Sequence, residues 1–137
     1  MMTSGLQDGK TRWAHYSIAY HFVWIPRFRK RVLTGEIQKA FKEVLKDICI
    51  KHKFVLLEAE TDEDHVHVFV SAPPRYSPAM IANVLKGATS RKLRLRFPAL
   101  LRKVKRNALW TQAYYVGTAG NVSVETIRRY ISDCQGR

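Results

Sequence analysis

The stretch His65-Val66-His67-Val68-Phe69-Val70-Ser71 constrains this chain more than any other, because valine fills every second position. Successive side chains of a strand point to opposite faces, so Val66, Val68 and Val70 form one apolar row that must lie against a core. His65 and His67 then share the opposite face, two residues apart. Pro73-Pro74 closes the strand, and Thr61-Asp62-Glu63-Asp64 ahead of it reads as a tight turn joined to a preceding strand over 54–60.

The rest of the chain supplies partners for that strand. Residues 16–25 are aromatic and β-branched and end at Pro26, as a strand does. Between Glu36 and His52, Ile37, Phe41, Val44, Leu45 and Ile48 recur at helical spacing among charged residues. Ser77-Pro78 offers an N-cap followed by proline at the first helical position, and this second helix runs to about Arg96. Residues 98–109 read as a basic connector and 109–116 as a fourth strand. Gly117 and Gly120 frame a flexible joint, and Ser123 opens a last helix that ends before Gly136. The order is strand, helix, strand, strand, helix, strand, with one trailing helix. It predicts an α+β, ferredoxin-like (RRM-like) sandwich: a four-stranded antiparallel sheet, two helices on one face and the other face open. Residues 1–13 read as an N-terminal tail and 14–137 as a single domain, with the last helix over 123–135.

Charge narrows the partner. The chain of 137 residues carries a formal net charge of +13, yet 46% of it is hydrophobic, too much for a disordered basic tail. All 11 acids lie outside residues 65–124, and Glu58, Glu60, Asp62, Glu63 and Asp64 crowd together just before them. The acid-free stretch holds Lys86, Arg91, Lys92, Arg94 and Arg96, with Trp110, Tyr114 and Tyr115 suited to base stacking. No apolar run approaches the ~18 residues of a membrane span, and the first ten residues lack a signal peptide's apolar core. Cys49 and Cys134 make no disulfide framework. These features point to a soluble, intracellular domain that meets a polyanion.

Two places can carry chemistry. His65 and His67 are either a half-exposed strand pair with no ligand or can share one cation, each through one ring nitrogen, with the neighbouring acids orienting the other nitrogen. Imidazoles alone do not name the metal, since they favour Zn and other transition metals while Mg prefers oxygen; a site with open positions for water and phosphate oxygens can still take Mg or Mn. Tyr130 flanks the apolar stripe of the last helix (Val124, Ile127, Ile131, Cys134) and is either a core residue or a nucleophile. A phenol with an ordinary pKa of about 10 needs nearby positive charge to react as phenolate, which Arg128 and Arg129 could supply.

Taken together, Tyr20-His21-Phe22-Val23-Trp24, Asp64-His65-Val66-His67, Leu85-Lys86-Gly87, Leu109-Trp110 and Tyr130-Ile131 resemble the IS200/IS605 family of single-tyrosine HUH transposases over about residues 14–135. The resemblance implies that His65 and His67 are metal ligands for Mg or Mn. Tyr130 would be the nucleophile, cutting single-stranded DNA to leave a 5′-phosphotyrosine and a free 3′-hydroxyl. It also implies DNA hairpins as partners, a homodimer whose active sites are shared between subunits, and a setting in the prokaryotic cytoplasm beside the nucleoid. Arg91, Lys92, Arg94, Arg96, Lys86 and Trp110 are the expected DNA contacts.

One departure stands out. The family pattern is Tyr-Ile-x-x-Gln, with the glutamine as third metal ligand, whereas Gln135 comes one residue late. At ~100° per residue, positions five apart differ by ~140° around a helix. Gln135 therefore reaches the face of Tyr130 only through a bulge or an unwound last turn; Asp133, Glu60, Asp62 and Asp64 are the alternative oxygen donors. Two rival functions remain on the same sandwich: a non-catalytic single-stranded nucleic-acid-binding module, and a domesticated relative that nicks hairpins.

Overall fold

The computed structural model describes residues 9–10, 15–16, 18–104 and 108–118. Four strands, β3 (Ala19–Trp24), β4 (Val55–Asp62), β5 (His65–Ser71) and β6 (Tyr115–Thr118), form one antiparallel sheet in the order β4-β5-β3-β6; β1 (Gly9–Lys10) pairs with β2 (His15–Tyr16) in a separate two-stranded sheet. Helices α1 (Glu36–His52) and α2 (Pro78–Arg96) pack against each other, and a short α3 (Ala99–Val104) follows α2. This is the expected ferredoxin-like α+β arrangement.

The valine row behaves as alternation demands. Val66, Val68 and Val70 are fully buried with Phe22, Trp24, Phe41, Leu45, Ile81 and Leu85. Each such side chain contributes about 1.5–3 kcal/mol over leaving it in water. Trp24, Phe41 and Trp110 meet edge to face, with centroids 5.8–6.2 Å apart. Ser77 Oγ accepts from the Met80 amide at 3.1 Å, with Pro78 first in the helix, so α2 starts where its capping residues place it. At the other end of α1, Lys53 takes the left-handed conformation and bonds back to Cys49 and Ile50.

Several boundaries differ from the sequence expectation. The first strand starts at Ala19, because His15–Tyr16 pairs with Gly9–Lys10; part of the supposed tail is thus engaged in structure. The connector contains α3, whose Leu100 and Val104 are buried one turn apart amid basic residues. The fourth strand begins at Tyr115 rather than 109 because the preceding backbone is engaged elsewhere. The Leu109 amide donates to Ser90 Oγ, the Thr111 amide to the Ile25 carbonyl, and Lys86 Nζ gathers the carbonyls of residues 111–113. Gly117 is no joint; it pairs with His21 inside β6. Gly120, the last helix over 123–135 and its Tyr130, Asp133 and Gln135 lie outside the described residues.

A register shift between Leu56 and Glu58 sets the acids' side of the sheet. After it, Ala59 faces Val68 on the core side, while Glu60 lies opposite His67 and Asp62 opposite His65. The face away from the helices is not bare: His21 and Val23 are buried on it, whereas His65 and His67 keep partial exposure.

Candidate active site

His65 and His67 come side by side, their ring centroids 5.0 Å apart. Each has its Nδ1 engaged. His65 Nδ1 donates to Asp64 Oδ1 at 2.9 Å, and His67 Nδ1 lies 3.1 Å from His21 Nε2. Asp64 is itself fixed, since its Oδ2 accepts from Arg29 Nε at 2.9 Å. Among the described residues this leaves Nε2 of both rings without a partner. A ring nitrogen oriented by a carboxylate on its far side is the usual setting of a metal-bound histidine.

The electrostatics suit a neutral His67. Burial drives the His67 pKa down and the charge of His65 adds to this, against a partial pull upward from Glu60 and Asp62. Burial pushes the Asp64 carboxyl up, but the hydrogen bonds from His65 and Arg29, and their charge, outweigh it and hold the group below its ordinary value. His67 thus stays unprotonated at neutral pH with a lone pair available, while Asp64 stays ionised.

His21 is the participant that the sequence did not disclose. It lies flat on Phe69, centroids 4.2 Å apart at 2°, with the Tyr115 ring edge-on at 5.9 Å. Burial, with repulsion from His67, lowers its pKa to about 4. For His67 to offer Nε2 to a cation, its Nδ1 must carry the proton and donate it to His21 Nε2. His21 Nδ1 is buried without a partner among the described residues. Only the pairing of β3 with β5 reveals this contact; the one signal in the sequence is a histidine among the apolar residues of the first strand. Arg29 is hidden from sequence reasoning for the same reason, being brought to Asp64 by the turn after β3, where Phe28 and Arg29 take positive φ.

Two His positions therefore fit a divalent ion, but no set of three His, Cys, Asp or Glu that could hold one occurs among the described residues. Asp64 has both oxygens engaged, and Glu60 and Asp62, exposed on β4, do not complete a third position.

The expected DNA contacts divide. Arg91 and Lys92 are exposed on α2, and Arg96 is exposed with one nitrogen 3.3 Å from Glu43. Arg94 is half-buried, its Nε on the Ser90 carbonyl and hydroxyl at 3.2 Å. Lys86 is not a mobile phosphate grip, since its ammonium donates to the carbonyls of Thr111, Gln112 and Ala113. Trp110 cannot stack on a base: it is 4% exposed, with Nε1 donating to Thr89 Oγ1 at 2.9 Å. An aromatic surrounded by Trp24 and Phe41 lowers the free energy more as core than as a surface platform.

The family model described as IS200-like transposase matches residues 14–134. The chain belongs to the IS200-like transposase family. The ISDra2 transposase TnpA of Deinococcus radiodurans is 31% identical over 126 residues, covering 92% of this chain and 90% of the relative. The transposase of insertion sequence IS200 from Salmonella typhimurium is 33% identical over 121 residues, 88% of this chain and 77% of its own length. A crystal structure of a candidate transposase from Deinococcus radiodurans superposes with a TM-score of 0.84 at 30% identity, over 91% of this chain and 96% of that one. A REP-associated tyrosine transposase bound to a REP hairpin shares the fold alone, with a TM-score of 0.54 at 11% identity over 91% of this chain and 68% of that one. This IS200-like transposase thus belongs among enzymes of DNA transposition, and none of its described helices is long and apolar enough to cross a membrane.

Proposed function

We propose that this transposase cuts and rejoins single-stranded DNA at insertion-sequence ends by transesterification, recognising DNA hairpins as a homodimer whose subunits share active sites. The observation that carries it is the imidazole pair of His65 and His67, each oriented through Nδ1 and left with Nε2 free among the described residues. His65 and His67 would hold Mg or Mn, with Gln135 as third ligand. When bound, the ion supplies positive charge to a nonbridging oxygen of the scissile phosphate.

The chain's own residues do the rest. The Tyr130 phenolate attacks phosphorus; the bond from phosphorus to the Tyr130 oxygen forms as the bond to the 3′-oxygen breaks. The strand is left as a 5′-phosphotyrosine, and the departing 3′-oxygen takes up a proton to become a hydroxyl. Rejoining is the reverse attack by a 3′-hydroxyl. One phosphodiester replaces another of similar energy, so no nucleotide hydrolysis is required. Asp64, anchored by Arg29, keeps the proton of His65 on Nδ1, and His21 does the same for His67. Arg91, Lys92 and Arg96 supply exposed positive charge for the strand's phosphates.

The test is incubation with labelled hairpin-bearing single-stranded DNA, with and without Mg or Mn. A covalent adduct that disappears with chelator and in Tyr130→Phe is expected. DNA binding with no adduct under any metal would instead favour a non-catalytic binding module.

A further inference from the structure

On the helical side of the sheet, away from the imidazoles, α2 and the segment around 108–112 border an open cavity of about 310 Å³. Arg27, Lys86 and Arg94 line it together with Gly87 and Ser90, and among the described residues no carboxylate does. Unbalanced positive charge in a concave site costs free energy unless an anion answers it.

The cations are fixed rather than swinging in solvent. Lys86 is tied to the carbonyls of Thr111, Gln112 and Ala113 at 2.7–3.4 Å; burial lowers its pKa to about 8, which leaves it charged at neutral pH. Arg94 Nε is held by the Ser90 carbonyl and hydroxyl, which leaves its terminal nitrogens unpaired among the described residues. Arg27 Nε is buried with no hydrogen-bond partner among them. A buried guanidinium nitrogen without an acceptor is uncommon, and planar guanidinium donors match a tetrahedral oxyanion.

Gly87 adds an independent sign. In the interior of α2 glycine costs about 1 kcal/mol relative to alanine. Among the described residues no packing requires it, since a Cβ built there meets nothing within 4 Å. What the missing side chain leaves is bare helix backbone at the cavity wall, where a ligand can approach closely.

We propose that this cavity is a binding site for a single oxyanion of the phosphate class, held by Arg27 and Arg94 with the Lys86 charge behind them. Two sources share that chemistry, a phosphodiester of a bound DNA strand and free inorganic phosphate. The first rests on the function proposed above; the oxyanion site itself does not.

The test uses the full chain and four proteins: wild type, Arg27→Gln, Gly87→Glu and Gly87→Ala. Inorganic phosphate is titrated at constant ionic strength while thermal unfolding and the amide shifts of residues 87, 90 and 111 are followed. Binding of hairpin-bearing single-stranded DNA is then measured across salt. Phosphate should raise the melting temperature and move those amides in wild type and more weakly in Gly87→Ala, with the response lost in Arg27→Gln and Gly87→Glu. If the strand supplies the anion, the log–log salt slope falls by about 0.7 in Arg27→Gln and affinity drops alike for every sequence. A phosphate response with an unchanged salt slope upholds the site and assigns it to the free ion. No phosphate response in wild type, with equal salt slopes in all four proteins, overturns the proposal. Gly87→Glu leaves every cation in place and suits a helix better than glycine, so it decides the matter even where Arg27→Gln does not fold. Failure to find a phosphotyrosine adduct would leave all these readouts intact.

Discussion

Replacing His21 by phenylalanine isolates what a buried neutral histidine does to this fold. His21 is 2% exposed, and burial with repulsion from His67 takes its pKa from 6.5 to about 4. The folded value lies below the unfolded one, so between those two pH values the unfolded chain binds more protons. Stability is therefore full above pH ~6.5 and falls as the solution is acidified toward pH ~4. The interval, at about 1.4 kcal/mol per pH unit, amounts to about 3 kcal/mol. In His21→Phe the ring remains to stack on Phe69 but cannot titrate. Near pH 7 the two proteins should be close in stability. The variant leaves His67 Nδ1 unpartnered, yet it also removes the buried, unpaired Nδ1 of His21, and each such group costs about 1–3 kcal/mol. Urea unfolding at intervals from pH 7 to pH 4 reads the difference directly. Wild type should lose about 3 kcal/mol more than the variant over that range. Parallel pH profiles would show that His21 does not carry the acid sensitivity and would refute the argument.

Other outcomes follow from the same neighbourhoods. Asp64→Asn removes the carboxylate that His65 Nδ1 and Arg29 share, so Mn affinity measured by calorimetry should fall about 10–100-fold. Lys86→Met leaves the buried Thr111 carbonyl without its donor, a loss of about 1–3 kcal/mol visible as a lower melting temperature. Trp110→Phe should lower stability, because Thr89 no longer receives the indole N–H, while hairpin affinity per folded molecule stays unchanged, as befits a core residue. Neutralising both Arg91 and Lys92 as glutamines should flatten the salt dependence of single-strand binding by about 0.7 for each phosphate no longer neutralised, with little change in melting temperature.

How far the site can be read from sequence depends on the range of the interaction. The pairing of His65 with Asp64 is between neighbours in the chain, and an acid orienting an imidazole is legible there. The approach of His67 to His21, 46 residues away, and of Arg29 to Asp64, 35 residues away, depends on strand register and on a turn with positive φ, which no local pattern encodes. Trp110 and Lys86 show the converse: their residue types are legible, their settings are not. Each belongs to a DNA-binding composition, but Trp110 is core, and Lys86 is fixed as a brace between α2 and the approach to β6. Composition counts cations and aromatics without knowing which backbone carbonyls or rings stand next to them.

By itself, the order of residues determined the alternation that buries Val66, Val68 and Val70, the helix over Glu36–His52, the cap at Ser77 and hence the ferredoxin-like layering. Those features follow from periodicity and capping, which act within a few residues. Only the tertiary structure decided that His21 backs His67, that Arg29 holds Asp64, and that Arg27, Lys86 and Arg94 gather around one cavity. Such groupings arise when distant segments are brought together, and their chemistry comes from the burial and partners found at the meeting point.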